Sequence, residues 1–159
     1  MNISHLERRR IEAGVLVPLI QAFQRAFGRD AANAVAREAI VELARKDGER
    51  WAAQLGDDLD AVRALTELWS ASGALEIENL AASGERVEFN VKRCRYAEYF
   101  QEMGLPELGY LIHCSRDFAM LGGFNPALRL KRTQTLMQGA ACCDFRFSAV
   151  TANSTPPEG

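Results

Sequence analysis

The stretch Ala74–Lys92, ALEIENLAASGERVEFNVK, sets the fold class because the period of the chain changes there. Leu75 and Ile77 alternate with Glu76 and Glu78, Ser83-Gly84 supplies a turn, and Val87, Phe89 and Val91 alternate with Glu88, Asn90 and Lys92. Successive side chains of a strand point to opposite faces, so this spacing predicts a β-hairpin with one face buried. Downstream, Arg95–Met103 reads as a helix ended by Gly104, and Leu108–Leu121 as a second helix behind Pro106, closed by Gly122-Gly123. Asn125-Pro126 then turns the chain into a strand over Leu128–Met137, Gln138-Gly139 turns it again, and Cys142–Val150 is the last strand.

Upstream of the hairpin the spacing is helical. Ile11, Val15, Leu19, Ala22, Phe23 and Ala26 predict the buried stripe of a helix from Ser4 to Phe27, stopped by Gly28 and either kinked or split at Pro18. Asp30 is the expected N-cap of a second helix with Ala34, Val35, Ala39, Ile40 and Leu43 on one side, ending near Gly48, and a short helix around Trp51 and Leu55 follows. Asp57 or Asp58 opens a further helix whose stripe is Leu59, Val62, Leu65, Leu68 and Trp69, closed by Gly73. The predicted architecture is α+β: amino-terminal helices packed on an antiparallel sheet of about four strands, with two further helices between strands 2 and 3. Residues 1–150 are expected to form a single domain and 151–159 a disordered tail.

Composition narrows the function classes. With 48% hydrophobic and 25% charged residues the chain is an ordinary globular one, and 19 basic against 21 acidic residues leave no field to draw nucleic acid or an anionic membrane. The short apolar run Val15–Ile20 behind Arg8-Arg9-Arg10 carries Glu12 and no cleavage site, so it does not read as a signal peptide, and no stretch is long enough to span a bilayer. A cytoplasmic protein is expected, with Cys94, Cys114, Cys142 and Cys143 as free thiols. Nothing in the pattern decides between a monomer and a homo-oligomer.

The alternation that makes the strands also aims charge inward. Arg93 continues the parity of Val87, Phe89 and Val91, and Arg132 and Gln134 continue that of Leu128 and Leu130, so two guanidinium groups and an amide are expected at the edge of the core. A buried guanidinium without a partner costs several kcal/mol. The two arginines therefore imply internal carboxylates, with Asp117, Asp144 or a strand glutamate as partners, or an anionic ligand. Cys143 shares the parity of Phe145 and Phe147 and belongs to the core or a pocket, whereas Cys142 points the other way.

These segments, taken in order, resemble a known family. Phe89-Asn90-Val91-Lys92-Arg93-Cys94-Arg95-Tyr96-Ala97-Glu98, Glu107-Leu108-Gly109, Cys114-Ser115-Arg116-Asp117, Gly123-Phe124-Asn125-Pro126, Arg132-Thr133-Gln134-Thr135-Leu136-Met137 and the run Gly139–Phe147 are similar to the L-2-amino-thiazoline-4-carboxylic acid hydrolase family, with a fainter echo in Arg9-Arg10-Ile11-Glu12-Ala13. The resemblance implies water-dependent opening of a thiazoline ring at its amidine carbon, giving an N-carbamoyl amino acid. The run Gly139–Phe147 also resembles ligand-binding domains of the 4-vinyl reductase type, which implies a binding module.

Within that frame, Cys114 and Asp117 lie three apart on one predicted helix face, which suits a nucleophile and its base. The substrate-binding candidates are Arg93, Arg132, Asn125, Gln134 and Tyr96, with Cys94 and Cys143 as pocket residues. Each has a plainer role open to it: a buried cysteine is commonly a small apolar residue, Asn125-Pro126 is a turn, and Tyr96 packs at a helix start. His113 points about 100° from Cys114 on a helix and reads as a surface or packing histidine, and no motif surrounds His5. Cys94, Cys114, Cys143 and Asp117 carry donor atoms that suit zinc, but no CxxC or HxxxH spacing supports a metal site, and the sequence requires no cofactor. The leading expectation is a hydrolase that opens a C–N bond in a small carboxylate-bearing heterocycle or amide. The rivals are a non-catalytic receptor with the same pocket and, from the amphipathic first half, a helical interaction partner.

Overall fold

The computed structural model describes residues 3–150, and the expectation for the 151–159 tail falls outside them. Three helices come first: α1 (His5–Phe27), α2 (Arg29–Leu55) and α3 (Leu59–Ser70). The hairpin β1 (Leu75–Ala82) and β2 (Arg86–Cys94) comes next, then α4 (Arg95–Glu102), α5 (Pro106–Gly109), a π-helical turn over Tyr110–Cys114, and α6 (Arg116–Phe124). Strands β3 (Leu128–Lys131) and β4 (Cys143–Ala149) close the order, separated by a 3-10 turn at Leu136–Gln138. The sheet runs β1-β2-β4-β3 with every neighbouring pair antiparallel, the α+β arrangement expected.

Local chemistry explains several boundaries. Ser4 and Glu7 form a capping box at the start of α1, the Ser4 hydroxyl accepting from Glu7 N at 3.2 Å and the Glu7 carboxylate accepting from Ser4 N at 3.1 Å. Asp58 caps α3 by accepting from Ala61 N at 2.8 Å. Two apolar clusters result. In one, Leu59, Val62 and Leu65 of α3 and Met120, Leu121 and Phe124 of α6 pack on Val87, Phe89, Val91, Phe145 and Phe147 of the sheet. In the other, Ala13, Val17 and Ile20 of α1 meet Ile40, Phe100, Leu108, Leu111 and Met137.

The structure departs from the periodicity along both long helices and on two strands. Helix α2 does not stop at Gly48 but runs on through Trp51 to Leu55. Gly48 is a notch instead: a Cβ there would lie 2.0 Å from the Met120 carbonyl oxygen, and one on Gly123 would lie 2.0 Å from that of Arg45, so α2 and α6 cross backbone to backbone. Helix α1 likewise runs unbroken through Pro18, which sits on its exposed side.

The predicted stripe of α1 is not its buried face. Leu6, Ala13, Val17 and Ile20 are buried, while Ile11, Val15, Leu19 and Phe23 are exposed; on α2, Ile40 is buried but Val35 and Leu43 are exposed. Strand β3 ends at Lys131 rather than running to Met137, because the Asp144 carboxylate accepts from the amides of Thr133 and Gln134, both at 2.9 Å, and from the Thr133 hydroxyl at 2.6 Å. Those amides are thereby taken from the ladder, and Gln134 is left exposed instead of facing the core.

Nor does Arg93 face inward. Glu76 pairs with Arg93 while Ile77 pairs with Val91, so Lys92 is an extra residue on β2. Such a bulge reverses the alternation beyond it. Arg93 turns outward to Glu98, at 2.6 Å, and Glu76, at 3.3 Å, and Cys94 turns inward in its place.

Candidate functional site

A cavity of about 120 Å³ lies where the two apolar clusters meet. Its wall is assembled from distant parts of the chain: His5 and Arg9 from α1, Asp47 and Trp51 one turn apart on α2, Trp69 from α3, and Val91, Cys143 and Phe145 from the sheet. The segment 113–117 supplies four more groups, His113, Cys114, Arg116 and Asp117. The π turn fits them there: Ser115 N donates to the Tyr110 carbonyl at 2.9 Å, an i to i+5 bond, and the extra residue in that turn shifts the facing of the side chains after it.

Of the residues expected from sequence, Cys94, Tyr96, Cys114, Asp117, Arg132 and Cys143 line this cavity. Arg93, Asn125 and Gln134 do not. Asn125 holds the turn, donating from Nδ2 to the Asp57 carbonyl and accepting from Ala127 N, both at 2.8 Å, and Gln134 donates to Cys142 Sγ at 3.2 Å. Sequence reasoning missed His5, Arg9, Asp47, Trp51, Trp69 and Arg116. Arg9 and Arg116 stood in segments that carry the family resemblance, but no local pattern aimed them inward, and His113, expected to be a packing or surface residue, sits in the wall between the rings of Tyr96 and Phe100.

The charges of the wall are already paired. Arg132, its side chain 2% exposed, donates to the Asp117 carboxylate and, at 3.0 Å, to the Cys114 carbonyl, with its guanidinium 5.0 Å from the Phe118 ring centre and 5.4 Å from that of Phe145. Arg116 donates to Asp47 at 2.7 Å and Arg9 to Glu12 at 2.7 Å, and Asp47 also faces Arg50 at 2.7 Å and Arg9 at 3.6 Å. Burial raises the Asp117 carboxyl to about 6, and Arg132 and Arg116 pull it back only in part.

Burial governs the other titratable groups too. It pushes Cys94 to about 11 and holds Cys114 well above the ordinary thiol range, the neighbouring Asp117 adding to the effect on Cys114. Cys143 is raised for the same reason. Burial first, and then the positive charge of Arg9, lowers His5 to about 4 and His113 to about 3. At neutral pH the wall therefore offers thiols, neutral imidazoles and a phenolic hydroxyl, Tyr96 being raised by burial to about 12. The Tyr96 hydroxyl lies 2.9 Å from His5 Nδ1 and 3.3 Å from the Trp69 carbonyl, and its single proton serves one of the two.

Cys94 accepts from Ala97 N at 3.4 Å as the cap of α4, and Cys143 accepts from Leu136 N at 3.2 Å. All four cysteines are free. Although Cys94, Cys114, Cys143 and Asp117 share the wall, no group of three His, Cys, Asp or Glu among the described residues is placed to hold a metal ion. No helix among those residues is long and apolar enough to cross a membrane.

Fold and site thus define an α+β protein with a cavity between its helices and its sheet, lined mostly by apolar and aromatic side chains. The chain matches the L-2-amino-thiazoline-4-carboxylic acid hydrolase family over residues 8–147 and belongs to it. No curated protein sequence matches it. Among solved structures it is similar to the phenol-responsive sensory domain of the transcription activator PoxR, determined with phenol, at a TM-score of 0.53 and 10% identity, over 84% of this chain and 72% of that one. At that identity the likeness is one of fold.

Proposed function

We propose that this protein binds a small single-ring molecule bearing a neutral hydrogen-bonding group, in the cavity, as a receptor. The observation that carries this is the paired state of the wall: Arg132 is spent on Asp117, Arg116 on Asp47 and Arg9 on Glu12, and the thiols and imidazoles are uncharged near neutrality. A carboxylate ligand anchored by Arg93 and Arg132 would lack the first and compete with Asp117 for the second. Size agrees, since an apolar cavity of about 150 Å³ holds benzene and this one is about 120 Å³. The fold shared with a phenol-responsive sensory domain supports the same reading.

A second reading, hydrolysis of a C–N bond in a carboxylate-bearing heterocycle, is favoured by family membership and by Asp117. A carboxyl titrating at about 6 is suited to take a proton near neutral pH. In that reading Asp117 accepts the proton of a water, or of the Cys114 thiol, as it attacks the amidine carbon; the high pKa of Cys114 favours water.

Thermal-shift titration with phenol, aniline, benzoate and 2-aminothiazoline-4-carboxylate, followed by chromatography of each mixture, decides between the two. The receptor reading expects phenol or aniline to raise Tm and every compound to be recovered intact. Turnover of the thiazoline that disappears in Asp117→Asn establishes the hydrolase instead, and its survival in Cys114→Ala would exclude the thiol as nucleophile.

A further inference from the structure

The exposed side of α1 has a construction that its role in the core does not explain. Ile11, Val15, Leu19, Phe23 and Phe27 are 61, 65, 46, 42 and 70% exposed, and they succeed one another at intervals of four. On a helix this is a single i±4n ridge. Its two aromatic members are in contact, the rings of Phe23 and Phe27 having centres 6.2 Å apart.

The neighbouring row at the same interval, Gly14, Pro18, Ala22 and Ala26, contains only small or compact residues. A Cβ built on Gly14 would meet nothing within 4 Å, so this row is an open groove beside the ridge. No charged residue occurs between Glu12 and Arg25. A ridge lying beside a groove of identical pitch is its own complement, because the ridge of one helix fits the groove of a second, and the reverse, about a two-fold axis.

We propose that α1 is the interface through which two copies of this chain form a symmetric dimer, the ridge Ile11–Phe27 of each lying in the Gly14–Ala26 groove of the other. Packing of i±4n rows on both sides sets the two helices crossing at about −50°. At the fractions given, the five ridge side chains expose about 500 Å² per copy, so a dimer removes about 1,000 Å² from water, the lower bound for a specific interface.

Other occupants fit less well. The segment 151–159, Thr-Ala-Asn-Ser-Thr-Pro-Pro-Glu-Gly, contains no large apolar side chain with which to cover the ridge. Charges of both signs flank the ridge, Glu7, Arg8, Arg9, Arg10 and Glu12 at one end and Arg25, Arg29 and Asp30 at the other, on a chain of net charge −2, so no uniformly basic face is offered to an anionic bilayer. The proposal is independent of the ligand reading, although α1 also sends His5 and Arg9 into the cavity.

Sedimentation equilibrium of the full chain over 1–200 μM tests it. The wild type is expected to reach the dimer mass within that range, and Val15→Glu/Leu19→Glu to remain monomeric with an unchanged circular dichroism spectrum and, at the dilute end of the range where the wild type is monomeric too, an unchanged Tm, since both positions are exposed in the single copy. In a parallel arm, Leu19→Cys is expected to give a disulfide-linked dimer on mild oxidation, and Arg37→Cys, on α2, none. A wild type that stays monomeric at 200 μM overturns the proposal, as does a double variant that still dimerises. A monomer that co-sediments with phosphatidylglycerol vesicles overturns it in favour of a lipid surface.

Discussion

The decisive residue is Arg132, because its guanidinium is almost wholly shielded from solvent and has one carboxylate partner. Removing one member of a buried pair strands the other charge, which costs about 3–5 kcal/mol. Asp117→Ala is therefore expected to lower the urea unfolding free energy by about 3 kcal/mol. Arg93→Ala, whose partners sit in solvent, should leave the urea midpoint unchanged. Comparing the two separates the arginine that sequence parity placed correctly from the one it misplaced. Cys114→Ala removes a thiol held in its neutral form, so it should cost only about 1 kcal/mol and leave ring-compound binding intact in thermal-shift titrations.

Among the elements, the crossing of α2 over α6 is the most sensitive. Gly48→Ala and Gly123→Ala each place a methyl 2.0 Å from a backbone carbonyl oxygen of the facing helix, which must then move away. Each should destabilise by about 2–3 kcal/mol, the cost of overpacking a tight contact. Gly122→Ala provides the control: nothing lies within 4 Å of its Cβ, and the gain in helix propensity should leave stability equal or up to about 1 kcal/mol higher. Thermal melts of the three variants check the ordering. The same glycines explain why the helix end expected at Gly48 lies elsewhere. Glycine terminates helices and also admits a neighbouring backbone, and only the position of α6 tells which applies at Gly48.

For the molecule as a whole, acid stability is set by the cavity wall. His5 and His113 titrate near 4 and 3 when folded, below the 6.5 of a free imidazole, so the unfolded chain takes up protons that the folded chain refuses. That contribution is complete above pH 6.5 and is lost as the pH falls towards 4. Asp117 acts in the opposite sense: its carboxyl, raised from 3.8 to about 6, favours the folded state once the pH falls below 6. Two groups against one leave stability about 2 kcal/mol lower at pH 5 than at pH 7. Urea midpoints at the two pH values measure this, and His113→Phe, kept between Tyr96 and Phe100, should make the profile nearly flat.

The fold class and the hairpin were legible in the chain itself, because period two and period 3.6 record which backbone a segment adopts and a cap such as Asp58 acts on its own neighbours. Six cavity residues were legible from strand parity and the family motifs, whereas Asp30, expected to cap α2, lies inside that helix behind Gly28. Periodicity does not record which of two apolar faces finds a partner. Tertiary structure alone decided that the Ile11–Phe27 row stays exposed, that a single extra residue at Lys92 sends Arg93 outward and Cys94 inward, and that His5, Asp47 and Arg116 meet across a cavity. Those outcomes depend on contacts between residues far apart in the chain, and no local pattern encodes them.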